Sequence, residues 1–388
     1  MDGNIVGWAH TPFGRLDADD IESLIARVTR DAIADAGVAP GDIDEIYLGH
    51  YGGGFIQERF LSSMPLQVSD ALRFKPSTRV ENACATGSAA IYQGLNAIAS
   101  GRARLVLAVG AEKMTGVNGP DVSQILLNSS YLKQEGSTQN GFAGVFAGIA
   151  GQYFARHGDQ SDALARIAAK NHANGAANPF AQFRKDLGYE FCREASASNP
   201  VVAAPLKRSD CSAVSDGAAA VVLASADAAK ALAKAVRFRA AEHVNDFKPM
   251  SRRDMTWFDG CERAWRMALA RSGTTLEDLG LVETHDCFTI AELIEYEAMG
   301  LAPRGEGARA INEGWTLKGG KLPVNPSGGL KAKGHPIGAT GVSMHVVGAM
   351  QLTGTAGGMQ IPDPGLVGIF NMGGASVAHY VSILERAR

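Results

Sequence analysis

Two pairs of segments repeat in the same order along this 388-residue chain, and an internal repeat constrains the fold more than any single element does. The segment "AIADAGVAPGDIDEIYLGH", which begins at Ala32, aligns with "ALARSGTTLEDLGLVETHD", which begins at Ala268. The alignment places Gly37 on Gly273. In each segment a helix, a glycine stop, an acidic turn and a strand follow one another. The chain is therefore predicted to contain two copies of one unit.

A second pair of matching segments lies further along each copy. "ATGSAAIYQGLNAIASGRARLVLAVGAE" begins at Ala85 and aligns with "ATGVSMHVVGAMQLTGTAG", which begins at Ala339, with "LVGIFNMGG" a little beyond it. The predicted strands "RLVLAVGAE" and "GLVGIF" in these segments are too apolar for a sheet face in contact with solvent. Such strands are typical of sheets that helices cover. The repeat therefore predicts an α/β fold made of two similar halves.

The segment between the two copies has a different pattern. "DVSQILLNSSYLKQEGSTQNG" is polar, and the helix that follows runs into an Asn-Pro loop in "NHANGAANPF". We predict an inserted loop domain at residues 119–204 and a first half at residues 1–118, which a strand and a helix at residues 205–230 complete. The second half is predicted to span residues 231–388.

Composition and charge argue against several classes of protein. The formal net charge is −3 and there is no long basic tract, so a nucleic-acid partner is not expected. The five cysteines form no C-x-x-C pair, which favours neither a disulfide framework nor a zinc ribbon and fits a reducing, cytoplasmic setting. No signal peptide is recognised, and the most apolar stretch is too short to span a bilayer. We therefore expect no membrane span and no metal site.

One cysteine lies at the junction between a predicted strand and a predicted helix. In "VENACATGSAA", Cys84 follows the strand, and the helix begins near Gly87. Its sulfur would lie near free backbone N–H groups at the positive end of a helix, which stabilise a thiolate and a nearby oxyanion. A small buried core cysteine is the alternative interpretation. Partners elsewhere in the chain must decide between the two.

The equivalent turn of the second copy carries a histidine. The repeat aligns Cys84 with Gly338, so His335 in "NPSGGLKAKGHPIGATG" lies at the turn that pairs with the Cys84 turn. A phosphate-binding loop is excluded because His335 and Pro336 stand where Lys-Ser or Lys-Thr would be required. A structural glycine-rich turn with an incidental histidine remains the alternative.

A third polar cluster ends a predicted strand of the second copy. Side chains alternate along a strand, so His285 and Cys287 in "VETHDCFTIAEL" are expected to face the same way. This arrangement favours a site, although a core histidine beside a buried thiol fits the pattern equally well. Asp286 is expected to face away, and Phe288 is expected to belong to the core.

Six motifs occur together over nearly the whole chain: "NACATGSAA", "VGAEKMT", "CSAVSDGAAAVVL", "HDCFT", "NPSGGLKAKGHPIGATG" and "NMGG". With these motifs the chain resembles the thiolase superfamily, and in particular the sterol-carrier-protein type thiolases and bacterial acetyl-CoA acetyltransferases. The resemblance implies duplicated βαβαβαββ halves, a five-layered α/β/α/β/α core and an inserted loop domain. It also implies an acyl-CoA thiolase, which cleaves 3-ketoacyl-CoA with CoA or runs the reverse Claisen condensation.

The resemblance assigns roles to the candidate site residues. Cys84 is the nucleophile that becomes acylated, and His335 is the base that activates it. One oxyanion site would use the backbone N–H groups of Cys84 and Gly373. The other would use the imidazole N–H groups of His335 and His285.

The chain departs from the family pattern at one position. Most thiolases carry a second cysteine in a C-terminal Cys-x-Gly motif, but Asn371 stands at that place here. An amide does not titrate in the accessible range, so Asn371 cannot serve as an acid or a base. The resemblance to the sterol-carrier type then assigns the acid and base role at the substrate α-carbon to Cys287.

The resemblance also bears on ligands and partners. It implies CoA and acyl-CoA as substrates, no permanently bound cofactor, a homodimer or homotetramer, and an OB-fold partner protein of the kind that some relatives have. Five weaker candidates for contact with CoA have side chains that often simply lie in solvent. They are His172, Arg184, Lys185, Arg252 and Arg253.

Two other functions stay open. A β-ketoacyl synthase-like condensing enzyme would also use one cysteine and two histidines, but it would need no base at the α-carbon, so Cys287 counts against it. A non-catalytic scaffold that binds acyl-CoA is compatible with the missing Cys-x-Gly cysteine. Retention of Cys84, Cys287 and His335 counts against the scaffold.

Overall fold

The computed structural model describes residues 3–387, and its first half begins with an alternation of strands and helices. Helix α1 starts where Asp20 accepts a hydrogen bond from the Ser23 backbone N–H, at 2.8 Å, and its apolar side chains recur every three to four residues. The elements in chain order are β1 (Gly3–His10), α1 (Ile21–Ala36), β2 (Glu45–Gly49), β3 (Ser77–Val80), α2 (Thr86–Ala99) and β4 (Leu105–Glu112).

The next segment is mostly helical and ends in a short hairpin. Its elements are α3 (Gly119–Leu127), α4 (Leu132–Glu135), α5 (Gly141–His157), α6 (Ser161–Ala176), α7 (Gly188–Arg193), β5 (Val201–Ala203) and β6 (Leu206–Lys207). Strand β7 (Gly217–Ser225) and helix α8 (Ala226–Ala229) follow. The boundaries of the loop domain, 119–204, stay a prediction. No helix within residues 3–387 has both the length and the apolar character that crossing a membrane requires.

The second half repeats the order of the first. Its elements are β8 (Val236–Asn245), α9 (Asp259–Ser272), β9 (Leu281–Glu283), α10 (Thr289–Ala298), α11 (Gly307–Asn312), α12 (Gly329–Lys333), α13 (Ile337–Leu352), β10 (Leu366–Gly373) and β11 (Ala378–Arg386). Helices α1 and α9 both end at a left-handed glycine, Gly37 with φ 68° and Gly273 with φ 66°. The repeat register predicted from the sequence is therefore the structural one.

The strand order displays the duplication directly. Within the described residues, nine strands form one mixed sheet in the order β3-β2-β4-β7-β1-β8-β11-β10-β9. Read from the middle outward, β1, β7, β4 and β2 match β8, β11, β10 and β9. An isolated parallel bridge between Val282 and Val324 stands where β3 pairs with β2 in the first half. Strands β1 and β8 pair through two residues of each strand, so a narrow seam joins the two half-sheets.

Helices cover both faces of each half-sheet and produce five layers. Helix α1 packs on the outer face of the first half-sheet and α9 on the outer face of the second, while α2 and α13 pack against each other between them. These two helices approach closely at glycines: a Cβ on Gly87 would lie 2.7 Å from the Val342 nitrogen, and a Cβ on Gly341 would lie 2.2 Å from the Ser88 nitrogen. The predicted five-layered α/β fold is confirmed, and its central layer brings together the N-terminal ends of α2 and α13.

Candidate active site

Cys84 lies in the turn between β3 and α2, two residues before the helix begins. The preceding Ala83 has a left-handed backbone with φ 49°, and the Glu81 carboxylate accepts a hydrogen bond from its N–H. Burial raises the pKa of the Cys84 thiol to about 12, although backbone N–H groups of Gly374 and of Cys84 itself act in the opposite direction. The expected stabilisation of a thiolate is thus present but outweighed by burial, so free Cys84 is a neutral thiol.

The structure brings both predicted histidines to this thiol. The Cys84 Sγ and one ring nitrogen each of His285 and His335 lie within 4.8 Å of one another. The two imidazole rings meet edge to face with their centroids 5.2 Å apart. All three side chains are buried and come from separate segments of the chain. By donor type, one sulfur and two ring nitrogens could also hold a zinc ion.

His335 is held in the protonation state of a base. Its Nδ1 lies 2.7 Å from Thr340 Oγ1, and that hydroxyl donates to the Pro336 carbonyl at 2.9 Å. Because the hydroxyl hydrogen is used there, Nδ1–H must donate to Thr340, and Nε2 keeps its lone pair. Burial and the Lys333 cation lower the pKa of His335 to about 3. His335 is therefore neutral, and its buried Nε2 has no hydrogen-bond partner among residues 3–387.

His285 lies on a connection and not on a strand. Strand β9 ends at Glu283. The next N–H, that of Thr284, donates to the Asn325 side chain at 2.8 Å, so the chain leaves the sheet there. The strand was therefore shorter than the alternation argument assumed, although His285 and Cys287 both reach the site. The Glu295 carboxylate accepts from the His285 N–H at 3.1 Å. Burial, with a smaller contribution from His335, lowers the pKa of His285 well below 6.5.

Cys287 supplies a second buried thiol. Burial raises its pKa well above 9.0, and the neighbouring Cys84 acts in the same direction. The Cys287 carbonyl accepts a hydrogen bond from the Ser212 N–H at 2.9 Å, which ties it to the segment before β7. Next to it, Phe288 stacks on Phe146 with the ring centroids 4.4 Å apart, as expected of a core residue. Cys287 is thus a neutral thiol that can give up a proton.

Asp286 anchors one site segment to another. Its carboxylate accepts hydrogen bonds from the Leu330 N–H at 2.6 Å, the Lys331 N–H at 3.1 Å and the Asn171 amide at 2.7 Å. Burial raises the pKa of this carboxyl to about 7. Asp286 therefore fixes the His285–Cys287 connection relative to the turn that carries His335.

Three residues hold the site together in roles that the sequence did not indicate. Glu112 accepts from the Tyr51 and Gly338 N–H groups, both at 2.9 Å, and so joins the two halves beside the reacting groups. Thr340 orients His335, and Asn371 contacts both Cys84 and His285. The repeat offered a signal for Thr340, since it aligns with Thr86, whose hydroxyl also bonds to a turn carbonyl. Glu112 belongs to the motif "VGAEKMT", but nothing in that motif indicated its role as an acceptor between the two halves.

A cleft of about 820 Å³ lies beside the site and carries four basic side chains. They are Arg184, Lys185, Arg208 and Lys331. The wall formed by residues 211–214 connects the cleft to the reacting groups through the Ser212 bond to Cys287. Gln182 also lines the cleft, and its side-chain oxygen accepts a hydrogen bond from the Ser215 hydroxyl. The same hydroxyl accepts from the His335 backbone N–H at 3.1 Å.

The weaker candidates for CoA contact divide into two groups. Arg184, Lys185 and His172 line the cleft. Arg253 instead donates to the Ala375 carbonyl at 2.8 Å and to the Ser376 carbonyl, so it holds the loop after β10. Arg252 packs over the Phe247 ring. The two arginines therefore lie outside the cleft.

Six histidines with lowered pKa values predict that acid destabilises the fold. Burial lowers the pKa of each below 6.5, to about 3 or 4 in five of them. Between about pH 6.5 and 4, these histidines therefore bind protons in the unfolded chain but stay neutral in the folded chain. The free energy of unfolding should fall by up to about 1.4 kcal/mol per pH unit for each histidine. The six are His10, His172, His285, His335, His345 and His379.

Two buried acids oppose this trend. The pKa values of Asp286 and Glu295 are raised by burial, so the folded chain binds their protons more readily than the unfolded chain and gains stability as the pH falls. Because the histidines outnumber these acids, urea unfolding at pH 7.5, 6 and 5 should give a decreasing free energy of unfolding. A constant or rising value over this range would contradict the assignment of these histidines as neutral.

The chain matches the description "Thiolase, N-terminal domain" over residues 4–227 and "Thiolase C-terminal domain-like" over residues 241–386. It is 37% identical to an acetyl-CoA acetyltransferase of Methanothermobacter thermautotrophicus, over 98% of this chain and 99% of that protein. It is also 34% identical to the sterol carrier protein 2 of Oryctolagus cuniculus, over 96% of this chain and 70% of that protein.

Two solved structures have a similar fold. One is titled Ltp2-ChsH2(DUF35) aldolase and has a TM-score of 0.85 and 23% identity, with coverage of 100% of this chain and 98% of that chain. The other is the Acat5 thiolase from Ascaris suum in complex with coenzyme A, with a TM-score of 0.72, 18% identity and full coverage of both chains. The predicted fold and the predicted acyltransferase class are confirmed, and the chain belongs to the thiolase family.

Proposed function

We propose that the chain is an acyl-CoA thiolase that carries the acyl group as a thioester on Cys84. One observation supports the proposal: a nucleophilic thiol and a neutral histidine base lie within 4.8 Å of each other in a buried site, and a second buried thiol, Cys287, interacts electrostatically with Cys84. An acyl transferase with a carbon–carbon bond to break needs a nucleophile and two separate proton carriers. The site holds all three.

Cleavage begins when the Cys84 sulfur attacks the keto carbon of a 3-ketoacyl-CoA. The thiol proton passes to His335 Nε2 as the sulfur–carbon bond forms, because pKa values of about 12 and about 3 leave little thiolate before attack. The α-carbon then leaves with the electron pair of the broken bond and takes the proton of Cys287. Acetyl-CoA departs, and an acyl thioester remains on Cys84.

The second half restores the protons. CoA attacks the Cys84 thioester and gives its thiol proton to the Cys287 thiolate. The Cys84 sulfur leaves and recovers its proton from His335. Each group ends as it began, so the cycle needs no external acid, base or oxidant. Backbone N–H groups of Cys84 and Gly373 are proposed to bind the oxygen of the carbon under attack, and the Gly374 N–H, which lies toward the sulfur, supports a donor at this loop.

The cleft is the proposed site for CoA. Four basic side chains suit its phosphates, and the apolar part of the lining suits the pantetheine arm. Its wall at Ser212 is hydrogen-bonded to Cys287, so the thioester end of CoA is proposed to lie at that wall. The named complex of the Acat5 thiolase with coenzyme A supports CoA as the ligand.

The two other functions fit less well. A β-ketoacyl synthase has no use for a thiol at the α-carbon, yet Cys287 is buried beside Cys84. A scaffold has no use for a histidine that Thr340 orients and whose Nε2 has no hydrogen-bond partner within residues 3–387. Both features are functional requirements of a thiolase.

An assembly of two or four copies is proposed from the open edge of the sheet. Strand β3 borders the sheet next to the Cys84 turn, and Thr78 and Arg79 on it are exposed.

A partner protein is also proposed, for which the name of the Ltp2-ChsH2(DUF35) aldolase gives support. A reducing, cytoplasmic setting suits the five free cysteines.

Thiolysis of two thioesters tests both the activity and the cleft. Acetoacetyl-CoA should be cleaved when CoA is added, and Arg208→Ala should raise its KM by ~10- to 100-fold, because one charge-assisted hydrogen bond is lost. The KM of acetoacetyl-N-acetylcysteamine, which lacks the phosphates, should not change in this variant. Arg309→Ala, an exposed arginine of α11, is the matched control. Absence of cleavage by the unmodified chain would refute the proposed function.

A further inference from the structure

Asn371 occupies the position of the missing Cys-x-Gly cysteine and makes three hydrogen bonds. Its Nδ2 lies 3.2 Å from the Cys84 carbonyl oxygen and 2.9 Å from His285 Nδ1. Its Oδ1 accepts from the Ser88 hydroxyl at 2.7 Å. The residue is completely buried at the end of β10. One amide therefore connects the nucleophile turn, helix α2 and His285.

The Cys84 carbonyl fixes which way the amide faces. A carbonyl oxygen only accepts hydrogen bonds, so the Asn371 atom beside it must be the nitrogen. The same nitrogen faces His285 Nδ1, and an amide nitrogen only donates. Both amide hydrogens are thus used, one on Cys84 and one on His285. The serine hydroxyl, which can donate, faces the remaining oxygen.

The consequence is a single tautomer for His285. Its Nδ1 accepts a hydrogen bond and carries no hydrogen, so the ring proton of this neutral imidazole must be on Nε2. His335 has the opposite tautomer, because its Nδ1–H donates to Thr340. Two histidines with ring centroids 5.2 Å apart therefore present a donor and a base, respectively. Without opposite tautomers, the two rings would duplicate one function.

We propose that Asn371 is a positioning residue that holds His285 as the Nε2–H tautomer, so that His285 can donate to the oxygen of the enolate formed at the α-carbon. The kinetic part of this inference rests on the proposed thiolase function. A buried Nε2–H without a partner within residues 3–387 is a donor ready for such an oxygen. The usual cysteine transfers a proton at this position. Asn371 cannot, and instead it fixes the tautomer of the neighbouring His285.

The same tautomer bears on metal binding. A metal ion needs a ring nitrogen with a free lone pair. In His285, Nδ1 accepts from Asn371 and Nε2 carries the proton, so neither nitrogen is free. The set Cys84, His285 and His335 therefore lacks its third ligand as long as Asn371 is in place.

The tautomer can be measured without substrate. In the full-length protein labelled with ¹⁵N-histidine, the nitrogen shifts of neutral His285 at pH 7 should show a hydrogen on Nε2 and none on Nδ1, with the signals assigned by a His285→Gln variant. Asn371→Asp, which replaces the donor by an isosteric acceptor, should move the hydrogen to Nδ1. A hydrogen on Nδ1 in the unmodified chain would overturn the inference.

Kinetics of Asn371→Ala then test the function of the tautomer. Exchange of the acetyl-CoA α-protons with deuterium should fall by ~10²- to 10³-fold, as for the loss of one oxyanion donor, while Cys84 is still acylated by acetyl-CoA. Asn178→Ala also removes a buried asparagine with two hydrogen bonds and is the matched control, which should keep the exchange.

The outcomes separate the two proposals. Full α-proton exchange by a folded Asn371→Ala variant would refute the positioning role, even if the tautomer is as stated. If the unmodified chain is never acylated on Cys84, the thiolase function fails, and the ¹⁵N result for His285 still decides the tautomer.

Discussion

Replacement of Cys84 by serine should abolish acyl transfer and leave the fold intact. His335, with a pKa of about 3, is a weak base, and even the thiol it serves is held neutral by burial. A serine hydroxyl is a far weaker acid than a thiol with an ordinary pKa of about 8.5. The base that suffices for sulfur therefore cannot activate oxygen, and we expect a loss of at least ~10⁴-fold in turnover.

The control for this variant is another buried thiol. Cys261 lies in α9, on the outer face of the second half-sheet, so Cys261→Ser replaces a buried sulfur outside the cluster of Cys84, His285 and His335. It should retain turnover, and both variants should keep the circular dichroism spectrum of the unmodified chain. Turnover by Cys84→Ser close to that of the unmodified chain would mean that another residue is acylated.

Replacement of Cys287 by alanine should separate acylation from carbon–carbon bond chemistry. His335 takes the proton of Cys84, but Asn371 cannot titrate, so the proton for the α-carbon must come from the remaining thiol of the site. Cys287→Ala should still be acylated by a pre-formed acyl thioester. It should fail to exchange the α-protons of acetyl-CoA and should lose cleavage and condensation by ~10²- to 10⁴-fold.

Cys192→Ala is the matched control, since Cys192 is a fully buried free thiol of α7. We expect normal exchange and thiolysis from it. If Cys287→Ala kept near-normal thiolysis and α-proton exchange, the acid would have to be another group, with His285 the first to test. The two variants Cys287→Ala and Asn371→Ala are expected to share the exchange defect for different reasons, the lost acid and the lost oxyanion donor.

The fold was predictable because the two halves share residues that particular turns and helix contacts require. Gly37 and Gly273 each end a helix in a left-handed conformation, where a side chain is strained, and Gly87 and Gly341 lie where two helices touch. Such positions tolerate few substitutions, so the register survives low identity. The seam between β1 and β8 left no such trace, since main-chain pairing places no demand on residue type.

The candidate site was predictable in its members and less so in its chemistry. Cys84, His335 and Cys287 belong to motifs that can be read from the sequence. The protonation states depend on burial and on single hydrogen bonds, such as that from Asn371 to His285, between residues 86 positions apart in the sequence. The position of Cys84 near a helix N-terminus predicted a stabilised thiolate, whereas burial raises the pKa of Cys84 and keeps the thiol protonated. Contacts of this kind are set by the packed structure and have no local sequence signature.

Mass spectrometry of the intact chain after mixing with acetoacetyl-CoA tests the central claim most directly. The account predicts one acyl adduct per chain, located on the peptide that contains Cys84, which disappears when CoA is added. Absence of an adduct, or an adduct on a different residue such as Cys211 in the cleft, would contradict the claim that Cys84 carries the acyl group.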